Sequence, residues 1–280
     1  MTLALGAALL AVGLLAVAVQ RARRTAALLQ TRLAVAAHGL EALQQAFTRF
    51  APAEVVEEII AQGVSTHSEK KEITILFADL KGFTAIAEAL DPAVLVRLLN
   101  GYFARMSAAI RSHQGHVAKF IGDGILALFG ALDANPWQTN DAAHAALAMR
   151  AGLAEYNATL LRDGLPALEV GIGIHRGPVV AGVIGTAELM EYGVIGSTVN
   201  LAARVEALTR PHGVDILVTA GARAELDPRF RLRAMPPLEV KGVAAPVATF
   251  ALDAFDEPVP TSSDSATSPG ESDRRDTRHR

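Results

Sequence analysis

Asp79 closes the apolar run Ile73-Thr74-Ile75-Leu76-Phe77-Ala78 and is followed by Leu80-Lys81-Gly82-Phe83-Thr84, a glycine turn that opens a helix. A carboxylate at a strand end can hold a metal, while the free backbone N–H groups of the adjoining helix N-terminus hold a phosphate. Alone, an Asp in this place is ordinarily a solvated turn residue. A second carboxylate changes that reading. Asp123 sits at the tip of Lys119-Phe120-Ile121-Gly122-Asp123-Gly124. Gly-Asp-Gly between two apolar runs also suits any tight hairpin. Two carboxylates on neighbouring strand ends, however, form the hard oxygen set that ions such as Mg²⁺ require. A third cluster, Glu191-Tyr192-Gly193-Val194-Ile195-Gly196-Ser197-Thr198-Val199-Asn200-Leu201-Ala202-Ala203-Arg204, puts Asn200 and Arg204 four apart on one helical face. Such an Arg is usually a surface cation, but an amide and a guanidinium stacked on one face can orient a sugar and meet charge on a phosphoryl group.

Other chemistries find no support. No G-x-x-x-x-G-K-[ST] loop occurs, and Gly171-Ile172-Gly173 has Arg176 where a dinucleotide fingerprint needs its third glycine. His113 and His116 lack the helical glutamate of a zinc hydrolase. His175 is expected to order a turn ahead of Gly177-Pro178. The chain has no cysteine, which removes disulfides, thiolate nucleophiles and Cys-ligated clusters. A net charge of −3 with scattered Lys and Arg gives no nucleic-acid-binding surface.

These residues need elements to hold them. From residue 72 the chain alternates short β-type runs with helices: a strand at 73–78, helices at 84–90 and 92–112, and a hairpin of 116–121 with 125–129. A long helix at 138–162 follows, then strands at 168–174, 179–184 and 191–195, a helix at 198–208, a strand at 214–219 and short strands over 230–252. This order predicts an α+β sandwich with helices over a largely antiparallel sheet. The 280 residues suffice for one such domain with extensions.

The extensions have their own signatures. Residues 3–19 are uninterruptedly apolar, spanning roughly 25 Å as a helix, and Arg21, Arg23 and Arg24 follow at once. The arginines favour an uncleaved single-pass anchor with the bulk of the chain cytoplasmic; a cleaved signal peptide is the competing reading. Leu29, Leu33, Ala36, Leu40, Leu43, Phe47 and Phe50 alternate at spacings of four and three, the seam of a parallel two-stranded coil. The expected organisation is an anchor at 1–20 in the plasma or inner membrane, a helical coiled-coil linker at 25–71, a catalytic domain at 72–252 and a disordered tail at 253–280.

The strings ITILFADLKGFT, KFIGDGILALF, GIHRGPVVAGVIG and YGVIGSTVNLAARVE resemble the signature blocks of the class III adenylate/guanylate cyclases, in the family's order and over about residues 72–251. The resemblance implies a ferredoxin-like catalytic domain that works as a head-to-tail homodimer with two shared sites. It implies ATP as substrate, cyclic AMP and pyrophosphate as products, and two Mg²⁺ or Mn²⁺ ions per site. Asp79, Asp123 and the Leu80 carbonyl match the metal ligands; Asn200 and Arg204 match the pair that positions the ribose and stabilises the transition state. Gly82, Phe83 and Thr84 match the phosphate turn, Lys119 the lysine that reads adenine, and Lys241 a lysine on the terminal phosphates. The chain departs from the pattern at Gly193, where the family carries Asp or Thr as a second base contact. Base choice then rests on Lys119, which cannot accept from the N–H donors of guanine. A guanylate cyclase of the same mechanism, and an inactive membrane-bound dimerisation module, are the alternatives.

Overall fold

The computed structural model describes residues 20–21, 23–24, 29–41, 68–186, 190–238 and 246–256. The expected anchor, the disordered tail beyond 256 and Lys241 lie outside these residues, as do Leu43, Phe47 and Phe50 of the seam. Residues 29–41 are helical, with Leu29, Leu33 and Leu40 exposed along the helix. Among the described residues no helix is long and apolar enough to cross a membrane.

The remainder is one mixed sheet of eight strands: β1 (Ser68–Leu80), β2 (His116–Ile121), β3 (Gly124–Phe129), β4 (Val170–Gly185), β5 (Met190–Ile195), β6 (Ile216–Thr219), β7 (Phe230–Ala234) and β8 (Thr249–Phe255). Their spatial order is β2-β3-β1-β4-β6-β8-β7, with β5 folded onto β4. Only β4 and β6 run parallel; every other pairing is antiparallel. The helices are α1 (Phe83–Ala89), α2 (Pro92–Ser112), α3 (Gln138–Arg162), α4 (Ser197–Ala207), and the single turns α5 (Thr209–His212) and α6 (Ala220–Arg223).

The two central strands read as continuous apolar runs because both sheet faces are covered. Leu76 and Ala78 of β1, with Ile125, Ala127 and Phe129 of β3, pack in the cluster that holds Leu98, Tyr102, Met106 and Ile110 of α2 and the alanine face of α3. Ile73 and Ile75, with Leu126 and Leu128, turn the other way and meet Ala202 of α4. Helix ends are fixed locally. Asp91 accepts from Ala93 N and Pro92 opens α2, a cap and a first-turn proline together. Gln138 docks α3 onto β1 by accepting from Thr74 N at 2.8 Å and donating to Glu72 O at 3.1 Å.

Three expectations are corrected. The apolar run at 73–78 is the middle of a thirteen-residue strand, because Ser68 to Lys71 continue the ladder against Val179 to Gly182. Those four polar residues read as linker because the strand there runs out past the core. The strands expected at 168–174 and 179–184 are one strand, β4, so His175 orders no turn. It lies inside the strand, with Nδ1 2.9 Å from Thr219 Oγ1, and burial lowers its pKa. Pro178 is tolerated because β4 pairs β6 at 172–174 and β5 at 180–185, and the missing N–H falls in the gap on that edge. Finally, residues 253–255 belong to β8 rather than to a tail, held by Phe255 against Phe230 and His144.

Candidate active site

The carboxylate half is built where β1 ends. Asp79 is the penultimate residue of β1, opposite Gly171 of β4. Asp123 fills the two-residue turn of the β2–β3 hairpin, whose Gly122 takes φ 62°. The hairpin is pinned to β1 through Asp123 itself, since Leu80 N donates to its Oδ2 at 3.2 Å. Gly124 is needed for close approach: a Cβ there would meet Asp79 Oδ1 at 3.2 Å and Ile121 O at 3.1 Å. Burial, and then the nearby Asp79 charge, push the Asp123 carboxyl above its ordinary range, with backbone N–H groups opposing. Gly82 follows in the left-handed conformation, φ 68°, and caps α1 with no side-chain bond, so Phe83 and Thr84 enter the helix with the first-turn amides uncapped by a side chain.

Two residues that the sequence reading missed complete this half. Arg210 donates to Asp79 Oδ2 at 2.6 Å and approaches the Leu80 carbonyl at 3.4 Å, while its Nη1 lies 3.4 Å from Glu206 Oε1. Glu206 is buried, and burial pushes its pKa up to about 7 against the pull of Arg210. Its Oε1, the neighbouring Thr209 Oγ1 and the Tyr102 hydroxyl are buried without a hydrogen-bond partner. The i,i+4 spacing of Glu206 and Arg210 was a visible signal, but nothing in it pointed to Asp79, 131 positions away.

This donor set fits a divalent cation. Asp79, Asp123 and the Leu80 carbonyl are hard oxygen donors at one place, and a guanidinium already stands on two of them. Among the described residues no cluster of three His, Cys, Asp or Glu side chains occurs.

The second half lies elsewhere. Asn200 and Arg204 open on a cavity of about 580 Å³ lined also by Glu72, His175, Arg176 and Ser197. Neither side chain makes a hydrogen bond or ion pair with a described residue. Asp79, Leu80 and Asp123 do not line this cavity. Glu72, which does, precedes Asp79 by seven residues on the same strand, about 23 Å at ordinary strand rise. The cavity that Asn200 and Arg204 line is therefore not the place where the carboxylates gather. Lys119, on β2, places Nζ 2.7 Å from Glu191 Oε1 on β5. Gly193 is two residues further along β5, opposite Gly182. Glu191 opens the third sequence cluster, but nothing in the sequence alone gave it a role, because its partner Lys119 is 72 positions away.

Comparison with known proteins identifies the domain. Residues 65–254 match the family described as the adenylate and guanylate cyclase catalytic domain. The chain is 38% identical over 195 residues to an adenylate cyclase of Anabaena cylindrica, covering 67% of this chain and 38% of that protein. It is 30% identical over 198 residues to adenylate cyclase 1 of Rhizobium meliloti, covering 70% and 30%. The chain thus spans about a third of the length of the curated relatives it matches. Among solved structures it superposes on the guanylyl cyclase Cya2 with TM-score 0.65 and 35% identity, covering 69% of this chain and 97% of that one. The adenylyl cyclase CyaB from P. aeruginosa gives 0.64 and 26%, covering 69% and 99%.

Proposed function

Because the chain belongs to the adenylate and guanylate cyclase catalytic-domain family, we propose that it closes ATP into 3′,5′-cyclic AMP and pyrophosphate at two sites shared by a head-to-tail homodimer. The observation that carries this reading is that Asn200 and Arg204 line a cavity in which Asp79, Leu80 and Asp123 take no part. A two-fold partner laid head to tail sets the carboxylates of one chain against Asn200 and Arg204 of the other, twice over.

In this reading Asp79, Asp123 and the Leu80 carbonyl hold two Mg²⁺ or Mn²⁺ ions, which when bound lower the pKa of the ribose 3′-hydroxyl and neutralise phosphate charge. The backbone of Gly82, Phe83 and Thr84 cradles phosphate oxygens at the α1 N-terminus. Asn200 orients the ribose. Arg204 meets the negative charge that builds on the α-phosphate oxygens as the 3′-oxygen attacks and pyrophosphate departs. Lys119 donates to the adenine ring, and Lys241, outside the described residues, reaches the terminal phosphates. The apolar run at 3–19 anchors the chain in the plasma membrane with the catalytic domain in the cytoplasm, and the exposed Leu29, Leu33 and Leu40 pair with a second copy below it.

A guanylate cyclase is the second reading, favoured by the 35% identity to Cya2 and by the bare Gly193. Purified full-length protein incubated with ATP or GTP and Mg²⁺ or Mn²⁺, with the product identified by mass, decides between them. Cyclic AMP formed from ATP at a rate well above that of cyclic GMP from GTP supports the proposal. Dominant cyclic GMP replaces it with the second reading, and no cyclic product from either nucleotide removes both.

A further inference from the structure

Gly193 leaves the second base-contacting position without a side chain, and the fold puts another one within reach. Alternate residues of a strand face the same way, so Glu191 and Gly193 share one face of β5. Glu191 Oε1 lies 2.7 Å from Lys119 Nζ, although β2 and β5 are not hydrogen-bonded neighbours in the sheet. They are drawn together by packing: Ala118, Tyr192 and Val194 join one apolar cluster, and the Tyr192 hydroxyl donates to Ala131 O at 3.0 Å. A Cβ on Gly193 would meet only Ile184 Cδ1, at 3.4 Å, so the floor beside the pair is bare.

The pair is a poor stabilising device. Its side chains are 48% and 59% exposed, and exposed ion pairs contribute little. It is a good reading device. Lys119 retains N–H donors beyond the one used here, and Glu191 retains acceptor capacity at both oxygens. Together they present a donor beside an acceptor, and adenine presents the complement on one edge: N1 accepts and the adjacent 6-amino group donates. Guanine presents the opposite order, N1–H donating beside an accepting O6. Lys119 alone makes no demand on the group at position 6, because an ammonium donates equally well to adenine N1 or guanine O6.

Resting on the cyclase reading above, we infer that Glu191 is a specificity-determining residue that accepts from the adenine 6-amino group while Lys119 donates to N1. It supplies the acceptor missing at position 193 from two residues earlier on the same strand face.

The test compares ATP with purine riboside triphosphate, which lacks only the 6-amino group, in full-length wild type, Glu191→Ala and Glu191→Gln, with Mn²⁺ and product identification by mass. Wild type should favour ATP by about tenfold to a hundredfold in kcat/KM, the loss expected when a charged acceptor is left unpaired. Glu191→Ala should bring the two substrates to within about threefold, by lowering the ATP value and leaving that of the analogue in place. Glu191→Gln, whose amide oxygen still accepts, should keep part of the preference, and the ATP to GTP ratio should fall in the alanine variant. A Glu191→Ala protein that keeps the wild-type ratio overturns the inference, as does a wild type that treats ATP and its 6-deamino analogue alike. A wild type that converts none of the three substrates overturns the cyclase reading itself, and that outcome is distinct from either of the others.

Discussion

At the Asp79 end of β1 the charged groups pair with one another, whereas at the Glu72 end the side chains of Asn200 and Arg204 line an open cavity and bond to no described residue. The first region is crowded and self-compensating: Arg210 bridges Asp79, the Leu80 carbonyl and the buried Glu206, and Asp123 takes the Leu80 amide. The second holds its cation in reserve. An arginine without a resident carboxylate is ready for an anion from outside. Carboxylates that already carry a guanidinium must exchange it for whatever cation they are to hold. The two halves differ in what must happen before they can work, and separate experiments can address each.

The largest effects are expected from breaking either half outright. Asp79→Ala or Asp123→Ala, and Arg204→Ala, should each lower cyclase turnover by about a thousandfold or more for the aspartates and about a hundredfold for the arginine. The comparison is sharpened by Mn²⁺ binding followed by electron paramagnetic resonance. The aspartate variants should lose it and the arginine variant should not. Equal loss of Mn²⁺ binding in Arg204→Ala would mean that the halves are not separate.

The next effect tests whether the halves come from different chains. Asp79→Ala and Arg204→Ala homodimers should be nearly silent. When the two are coexpressed, mixed dimers carry both lesions in one site and leave the other complete, so activity should return to roughly a quarter of wild type. Persistent silence, with mixed dimers shown by pull-down, would place both halves in one chain's site.

A smaller effect should follow from removing the internal cation. Arg210→Ala leaves Asp79, Asp123 and Glu206 without the guanidinium among them. The metal-free protein should melt about 2–4 °C lower, bind Mn²⁺ several-fold more tightly, and gain more stability from the ion than wild type does. An unchanged Mn²⁺ affinity would show that Arg210 does not compete for the position.

The smallest effect concerns Glu206. Its pKa rises from 4.5 to about 7, burial being the main cause, so between those values the folded chain binds a proton that the unfolded chain has released. That contribution is present at low pH and is lost as pH rises through about 7. Glu206→Gln lacks it. The melting temperature of the variant relative to wild type, measured without divalent metal, should therefore climb between pH 5 and pH 8. A constant difference across that range would mean that Glu206 is already ionised in the fold.

Much of the domain was legible from local pattern. The helices at 92–112 and 138–162 coincide with α2 and α3, because a proline or polar opening and a long amphipathic run are signals contained within each segment. The hairpin around Asp123 was legible for the same reason, since Gly-Asp-Gly is its own turn instruction. The signature blocks around Asp79, Asp123, Asn200 and Arg204 pointed to the cyclase family from residue identities alone. Strand ends were less legible. Ser68 to Lys71 are polar, and only their partners on β4 make them strand.

What the chain's own order of residues determined, then, is which chemical groups are available and which local elements carry them. The tertiary structure alone decided where those groups meet. Arg210 reaches Asp79 across 131 positions and Lys119 reaches Glu191 across 72, and Asn200 and Arg204 line a cavity that the carboxylates do not. No local periodicity encodes such meetings. They follow from the stacking of strands β2-β3-β1-β4 and the folding of β5 and α4 over them, and that stacking is set by burial of both faces of the sheet at once.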